Sequence, residues 1–453
     1  MFKKVLVGVA VLVSYAVCKA ENPLSFYSDN VASVGVVVYD LENKSEVYNY
    51  NGNLSLTPAS TMKLVSSAAA LSLYPADYQY ETPAYIDGKI EKGTAFGDIV
   101  IKGSGDPTLY SRHFPDNQTF IEDITSSLKD LGVKRISGNI VVDNGDQQNV
   151  GKLGTWEIED GYYEYGTGWY PFNYRDNVFR LNPNLMTAVP QNINLENIVT
   201  EVDGKLYLIQ SFGNSYNEIT GIQSFRDDST IKLPNPYPCD LFIADLTSTI
   251  SDSGIEFVND EENYDTETVQ SDSIPSDSIP LASYYSPALK AIITDLMHRS
   301  DNMMAESTLR LLAPGLSLDD ALRAEKDLYD SKGIPTDLYT IRDGSGLSRG
   351  NAVSPEFFIK VLTSMSDNED FVDVFPRAGV DGTVCSLFKG TPLEGRAALK
   401  SGSMSGVRCY AGYILNDDDE PKYAVAIMVN NFKCKVSEIN KSIQDFLLEY
   451  CCE

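Results

Sequence analysis

Apolar residues dominate Val34-Gly35-Val36-Val37-Val38-Tyr39 and alternate with polar ones in Val47-Tyr48-Asn49-Tyr50, with the polar turn Glu42-Asn43-Lys44 between them. This pattern predicts an antiparallel hairpin within Val31 to Asn51. The stretch from Thr57 to Leu71 reads as a helix, with Thr57 as N-cap, Pro58 at the first helical position and an alanine- and leucine-rich run after them. Beyond about Tyr80 the segments become short, alternating and turn-punctuated, as in Gly97 to Gly103, Ile136 to Asp143 and Lys205 to Gln210, each expected to be a strand. Tyrosine and tryptophan cluster from Thr155 to Tyr174. The direct repeat Ser271 to Pro275 and Ser276 to Pro280, preceded by the polar Glu261 to Thr268, reads as a linker.

From Ser286 the helical period returns: Ala288 to Met297, a break at His298-Arg299-Ser300-Asp301-Asn302, then Met303 to Leu312. Ala397 to Ser403 and Arg408 to Leu415 form an expected hairpin, Tyr423 to Val429 a further strand and Val436 to Tyr450 a terminal helix. The implied architecture is a sheet made from both ends of the chain, covered by helices, with a β-rich section inserted between its halves.

The N-terminus changes where this chain is expected to work. Met1-Phe2-Lys3-Lys4, the largely apolar run Val5 to Val17 and Cys18-Lys19-Ala20 have the form of a signal peptide, and a run of 13 residues is too short to span a bilayer. Export to the periplasm or cell envelope follows, with a mature chain from Glu21. Removing this leader takes three lysines and no acid from a chain of 36 basic and 64 acidic residues, so the net charge moves from −28 to −31. A surface this acidic is unsuited to phosphate backbones, so nucleic acid is not an expected partner. Nor is a stable membrane span, since no later stretch is apolar for long enough. Six cysteines remain, Cys239, Cys385, Cys409, Cys434, Cys451 and Cys452; they permit disulfides without assigning them, and free buried thiols fit equally well.

Candidate chemistry starts at Ser60 and Lys63. Three residues apart at a helix start, they share a face, so the amine can reach the hydroxyl. A serine needs a base, a lysine serves only when burial or a nearby cation lowers its pKa, and free N–H groups at a helix start can stabilise an oxyanion. The same spacing recurs at Ser126/Lys129, Ser229/Lys232 and Ser386/Lys389, where the contexts suggest solvated pairs; only Ser60 has a cap, a proline and an apolar helix after it. Ser300-Asp301-Asn302 breaks between two helices, where a hydroxyl and an amide can face a cleft. Its plain alternative is a helix cap, and the tripeptide also occurs at Ser28 to Asn30 and Ser366 to Asn368. Lys400-Ser401-Gly402 is the sole Lys-(Ser/Thr)-Gly in the chain, and its glycine permits close backbone approach.

In this order the three motifs resemble those of penicillin-binding proteins and serine β-lactamases. The 240 residues from Ser60 to Ser300 resemble the class C low-molecular-mass penicillin-binding proteins, the D-alanyl-D-alanine carboxypeptidase/endopeptidase family. The likeness extends to Pro58 to Leu64, Gly103 to Leu109, Ser300 to Glu306, Asp343 to Asn351 and Gly379 to Thr383. It implies an α/β (α+β) chain: a serine β-lactamase/transpeptidase-like sheet-and-helix domain in two parts, 21–80 and 283–453, split by an inserted β-rich region, 81–282, of one or two nested domains, after a signal peptide at 1–20.

The resemblance further implies an acyl-enzyme at Ser60 with Lys63 as general base, Ser300 as proton relay, Asn302 holding substrate and lysine, and Lys400 supplying positive charge. Ser401 and Ser403 would hydrogen-bond the substrate carboxylate, Gly402 would let the substrate backbone approach, and the N–H groups of Ser60 and Ser403 would form the oxyanion hole. Ser401 stands where the family usually has threonine, and either supplies a hydroxyl. Peptidoglycan stem peptides are the implied substrate and β-lactam antibiotics the implied inhibitors, with no cofactor and no metal. His113 and His298, 185 residues apart, lack the partners of a Ser-His-Asp hydrolase or a zinc peptidase. A serine β-lactamase and a non-catalytic peptidoglycan-binding scaffold are the remaining alternatives.

Overall fold

The computed structural model describes residues 24, 32–145, 151–182, 185–202, 205–209, 216–218, 230–258 and 275–452. The expected leader, Glu261 to Thr268, Ser229 and most of the first copy of the direct repeat lie outside these residues. The chain opens with the expected hairpin of β1 (Ser33–Asp40) and β2 (Ser45–Tyr50). Val36 and Val38 of β1 enter one core with Phe446 and Leu447, while Val37 enters another with Leu64 and Phe357. A strand covered on both faces has no polar side to show, hence its unbroken apolar run.

A 3₁₀ turn (Ala59–Thr61) leads into α1 (Met62–Leu73). The expected helix start at Thr57 and Pro58 is thus corrected by several residues. Thr57 N–H donates to Asn430 Oδ1 at 2.7 Å and its carbonyl accepts from Asn430 Nδ2 at 3.1 Å, so a distant side chain, not a local cap, directs the chain here. Leu64, Val65, Ala68, Ala69 and Ala70 of α1 are fully buried. A helix apolar on all sides belongs at the centre, and its alanines let neighbours approach.

The inserted segment begins with β3 (Glu81–Glu91), β4 (Thr94–Lys102), α2 (Phe120–Asp130), β5 (Arg135–Ser137) and β6 (Ile140–Asp143). The single strand expected from Ile136 to Asp143 divides at Gly138, where a Cβ would lie 2.0 Å from the Gly97 carbonyl oxygen; β5 and β6 each pair in parallel with β4. Two small sheets follow from β7 (Val178–Asn182), β8 (Thr187–Val189), β9 (Val199–Val202), β10 (Lys205–Ile209), β11 (Tyr216–Glu218) and β12 (Ile231–Pro234), ordered β12-β7-β8 and β11-β10-β9. Then α3 (Pro238–Asp252), β13 (Glu256–Phe257) and β14 (Ile279–Tyr285) return to the first sheet. The segment is β-rich as expected, from β3 to β14, and two α-helices among its described residues complete it: Phe120 and Leu128 of α2 and Phe242 and Leu246 of α3 supply much of its core. The expected linker is also corrected at its end. Ile279 and Pro280 already pair with Ile86 and Tyr85, and this sheet runs to Tyr285, past the boundary expected at 282.

The rest comprises α4 (Leu289–Arg299), α5 (Asn302–Arg310), α6 (Leu318–Ser331), α7 (Pro355–Met365), α8 (Glu369–Asp373), β15 (Ala397–Met404), β16 (Val407–Leu415), β17 (Pro421–Asn430) and α9 (Val436–Cys451). An antiparallel sheet ordered β15-β16-β17-β1-β2 joins the two chain ends. Residues of α9 pack on one face of it and those of α1 and α4 to α8 on the other. All six described cysteines are unpaired.

Candidate active site

Ser60 sits half-buried on the 3₁₀ turn, and α1 carries Lys63 completely out of solvent. Lys63 Nζ lies 3.0 Å from Ser60 Oγ, 2.5 Å from Asn302 Oδ1 and 2.6 Å from the Ser345 carbonyl oxygen. An amine in a dry pocket holds a proton poorly. Burial brings Lys63 down to about 8, against the opposing pull of Asp343, Asp301 and Glu306.

Ser300 and Asn302 come from the junction of α4 and α5. Ser300 adopts a left-handed conformation with φ of 64°, which ends α4, and Asp301 caps α5 by accepting from Met304 N–H at 2.9 Å. The cap and the cleft functions therefore coexist in one tripeptide. Asn302 donates through Nδ2 to the Tyr165 carbonyl at 2.7 Å, so its Oδ1 faces Lys63.

Edge strand β15 brings in the third motif. Lys400, fully buried, donates to Ser300 Oγ at 3.0 Å and to the Ser401 carbonyl at 2.8 Å. Its amine is held well below the ordinary lysine range, first by burial and then by the positive charges of Lys63 and Arg408. Ser401 Oγ is 2.7 Å from Thr383 Oγ. A Cβ on Gly402 would stand 2.5 Å from the Pro58 carbonyl oxygen and 3.2 Å from Ser60 N, so only glycine lets β15 lie flat against the serine turn. Ser403, the next residue, is exposed.

Seven of the eight residues singled out by motif thus meet at one place, supplied by the 3₁₀ turn and α1, the α4–α5 junction and β15, with Ser403 exposed next to them on β15. Two of the other Ser-x-x-Lys pairs do not compete: Ser126 and Lys129 are exposed on α2, and Ser386 and Lys389 are exposed in a loop; Ser229 of the third lies outside the described residues. His113 bonds to Arg112 and Arg299, and burial beside these cations pushes it down to about 4. His298 Nδ1 is 3.8 Å from Asp381. Among the described residues no group of three or more His, Cys, Asp or Glu is arranged to hold a metal.

Several participants carried no individual signal in the sequence. The Ser345 and Tyr165 carbonyls are backbone groups that motif reasoning does not reach. Asp343 takes N–H groups from Gly346 at 2.9 Å, Ser348 at 2.7 Å, Asn351 Nδ2 at 2.7 Å and, from the inserted segment, Trp156 Nε1 at 2.8 Å. This shapes the turn that presents the Ser345 carbonyl. The density of Gly, Ser, Asp and Asn from Asp343 to Asn351 was the available clue.

A family model described as D-Ala-D-Ala carboxypeptidase 3 (S13) matches residues 28–450. The chain is 26% identical over 427 residues to a Haemophilus influenzae protein named D-alanyl-D-alanine carboxypeptidase DacB, covering 88% of this chain and 86% of that one. It is likewise 26% identical over 428 residues to the D-alanyl-D-alanine carboxypeptidase of an Actinomadura species, covering 88% and 77%. In fold it is similar to the crystal structure of penicillin binding protein 4 (dacB) from Haemophilus influenzae, with a TM-score of 0.73 at 23% identity, covering 93% of this chain and 97% of that one.

Proposed function

The chain belongs to the D-Ala-D-Ala carboxypeptidase 3 (S13) family, a family of serine D,D-peptidases, and from that premise we propose how its own residues perform the reaction. The carrying observation is the 3.0 Å contact between Ser60 Oγ and a fully buried Lys63 amine. Neutral Lys63 takes the Ser60 proton as Oγ attacks the carbonyl carbon of the penultimate D-Ala, giving a tetrahedral oxyanion. The N–H groups of Ser60 and Ser403 serve as donors to that oxygen. Ser300 relays the proton to the leaving amine, terminal D-Ala departs, and water hydrolyses the Ser60 ester. Asn302 holds the substrate amide and Lys63; Lys400, with Ser401 and Ser403, receives the terminal carboxylate.

Peptidoglycan stem peptides are the substrate, and β-lactams acylate the same serine. An amine from a cross-linked neighbour can leave in place of D-Ala, so endopeptidase action uses the same groups. We assign 21–80 and 286–453 to the catalytic unit, 81–285 to accessory structure because β14 pairs with β3 as far as Tyr285, and the protein to the periplasm or envelope after loss of 1–20. The test is to incubate the protein with a muropeptide mixture and identify products. Free D-Ala or separated cross-links, absent in Ser60→Ala, is the expected result; the same products from Ser60→Ala would overturn the assignment.

A further inference from the structure

Ser345 links two buried groups. Its carbonyl oxygen receives Lys63 Nζ at 2.6 Å, and its N–H donates to Glu306 Oε1 at 2.9 Å. Glu306 stands four residues after Asn302 on α5, hence on the same helix face. That face grips Lys63 twice, directly through Asn302 Oδ1 and through Ser345 by way of Glu306. Glu306 is fully buried, and its Oε2 has no partner among the described residues.

Accepting one backbone N–H requires only a neutral amide, and a buried carboxylate is costly to keep. What glutamate adds is charge, and because burial pushes its carboxyl up to about 7 that charge is fully present only above that pH. We propose that Glu306 is a positioning residue for Lys63: its side chain fixes Ser345, whose carbonyl receives the lysine amine, and its charge sets how readily that amine releases its proton. This rests on Lys63 acting as the base for Ser60. A general base works best with a pKa near the working pH. Burial drives the Lys63 pKa down, and an acid behind Ser345 restores part of it. Asp343 on the Ser345 turn and Asp301 at the start of α5 act on Lys63 in the same direction, each more strongly than Glu306. Glu306 itself is faced by Asp343, by Arg310 on its own helix and by Glu325 on α6, while Lys400 faces Lys63 from β15.

The experiment measures the acylation rate with a fluorescent penicillin from about pH 6 to about 9.5 for the full chain and for Glu306→Gln, Glu306→Ala and Glu325→Gln, with melting temperatures alongside. The wild-type rate rises with pH as Lys63 loses its proton. Glu306→Gln keeps the Ser345 bond, so its plateau stays within about threefold while the midpoint moves roughly 0.5 to 1 unit to lower pH. Glu306→Ala loses the bond as well, and its plateau falls about tenfold. Glu325→Gln leaves the midpoint in place. An unmoved midpoint in Glu306→Gln, or an equal shift in Glu325→Gln, would overturn the inference. Should Glu306→Ala fail to fold, Glu306→Gln alone decides. A wild type that shows no acylation, or no rising limb, would instead bring down the functional assignment and this inference together.

Discussion

Replacing Trp156 by phenylalanine tests whether the inserted segment takes part in arranging the catalytic groups. The indole Nε1 donates at 2.8 Å to Oδ2 of Asp343, a carboxylate with no exposed surface. Phenylalanine keeps the apolar packing against Leu153 and Leu347 but removes this donor. A hydrogen bond to a charged group is worth roughly 1.5–3 kcal/mol. The lower end applies, because Ser348 N–H still serves the same oxygen at 2.7 Å. About 1.5 kcal/mol corresponds to about a tenfold change in rate. Since Asp343 shapes the turn whose Ser345 carbonyl receives Lys63, the loss falls on the base. Stopped-flow acylation by a fluorescent penicillin should slow about tenfold in Trp156→Phe. Trp169→Phe gives up a bond to the neutral Ser307 hydroxyl at 3.0 Å, worth only about 1 kcal/mol and made to α5 rather than to Asp343. Acylation by Trp156→Phe within twofold of wild type would refute the reasoning.

Gly402→Ala should reduce acylation at least 100-fold while the protein stays folded, since the added methyl would meet the Pro58 carbonyl at 2.5 Å and push β15 away from the oxyanion position; labelling rate against melting temperature checks this. Stability should also fall as pH rises. Glu325 is fully buried and pushed up by burial to about 8, from an ordinary 4.5. Between those values the folded state holds a proton that the unfolded state has released, so raising pH favours unfolding. Glu325→Gln should flatten this decline, and its melting temperature should exceed that of wild type at about pH 8; parallel melting curves across pH would exclude it.

Much of this site could be read from residue spacing, for a local reason. Ser60 and Lys63 are one helical turn apart, so their meeting needs only a helix. Lys400 and Gly402 declared themselves through an apolar strand that ends in small residues. The helix start was misjudged because Thr57 looks like a cap and is in fact held by Asn430, a contact that no local rule contains. The linker was misjudged because Ile279 and Pro280 follow a polar repeat yet pair with β3. The β-rich character of the insert was legible because short alternating strands dominate its pattern, β3 to β14 against two α-helices among its described residues. Trp156 and Asp343 gained their significance only when residues 187 apart in the chain met, and Glu306 when it met Ser345, 39 residues away. A buried carboxylate on α5 looks, in sequence, like any polar residue on a helix face.

The most direct test of the account is intact-protein and peptide mass spectrometry after brief exposure to benzylpenicillin. The account predicts one covalent penicilloyl group, carried by the peptide containing Ser60 and absent from both Ser60→Ala and Lys63→Ala. An adduct that persists in Ser60→Ala, or no adduct on the wild-type chain, would contradict it.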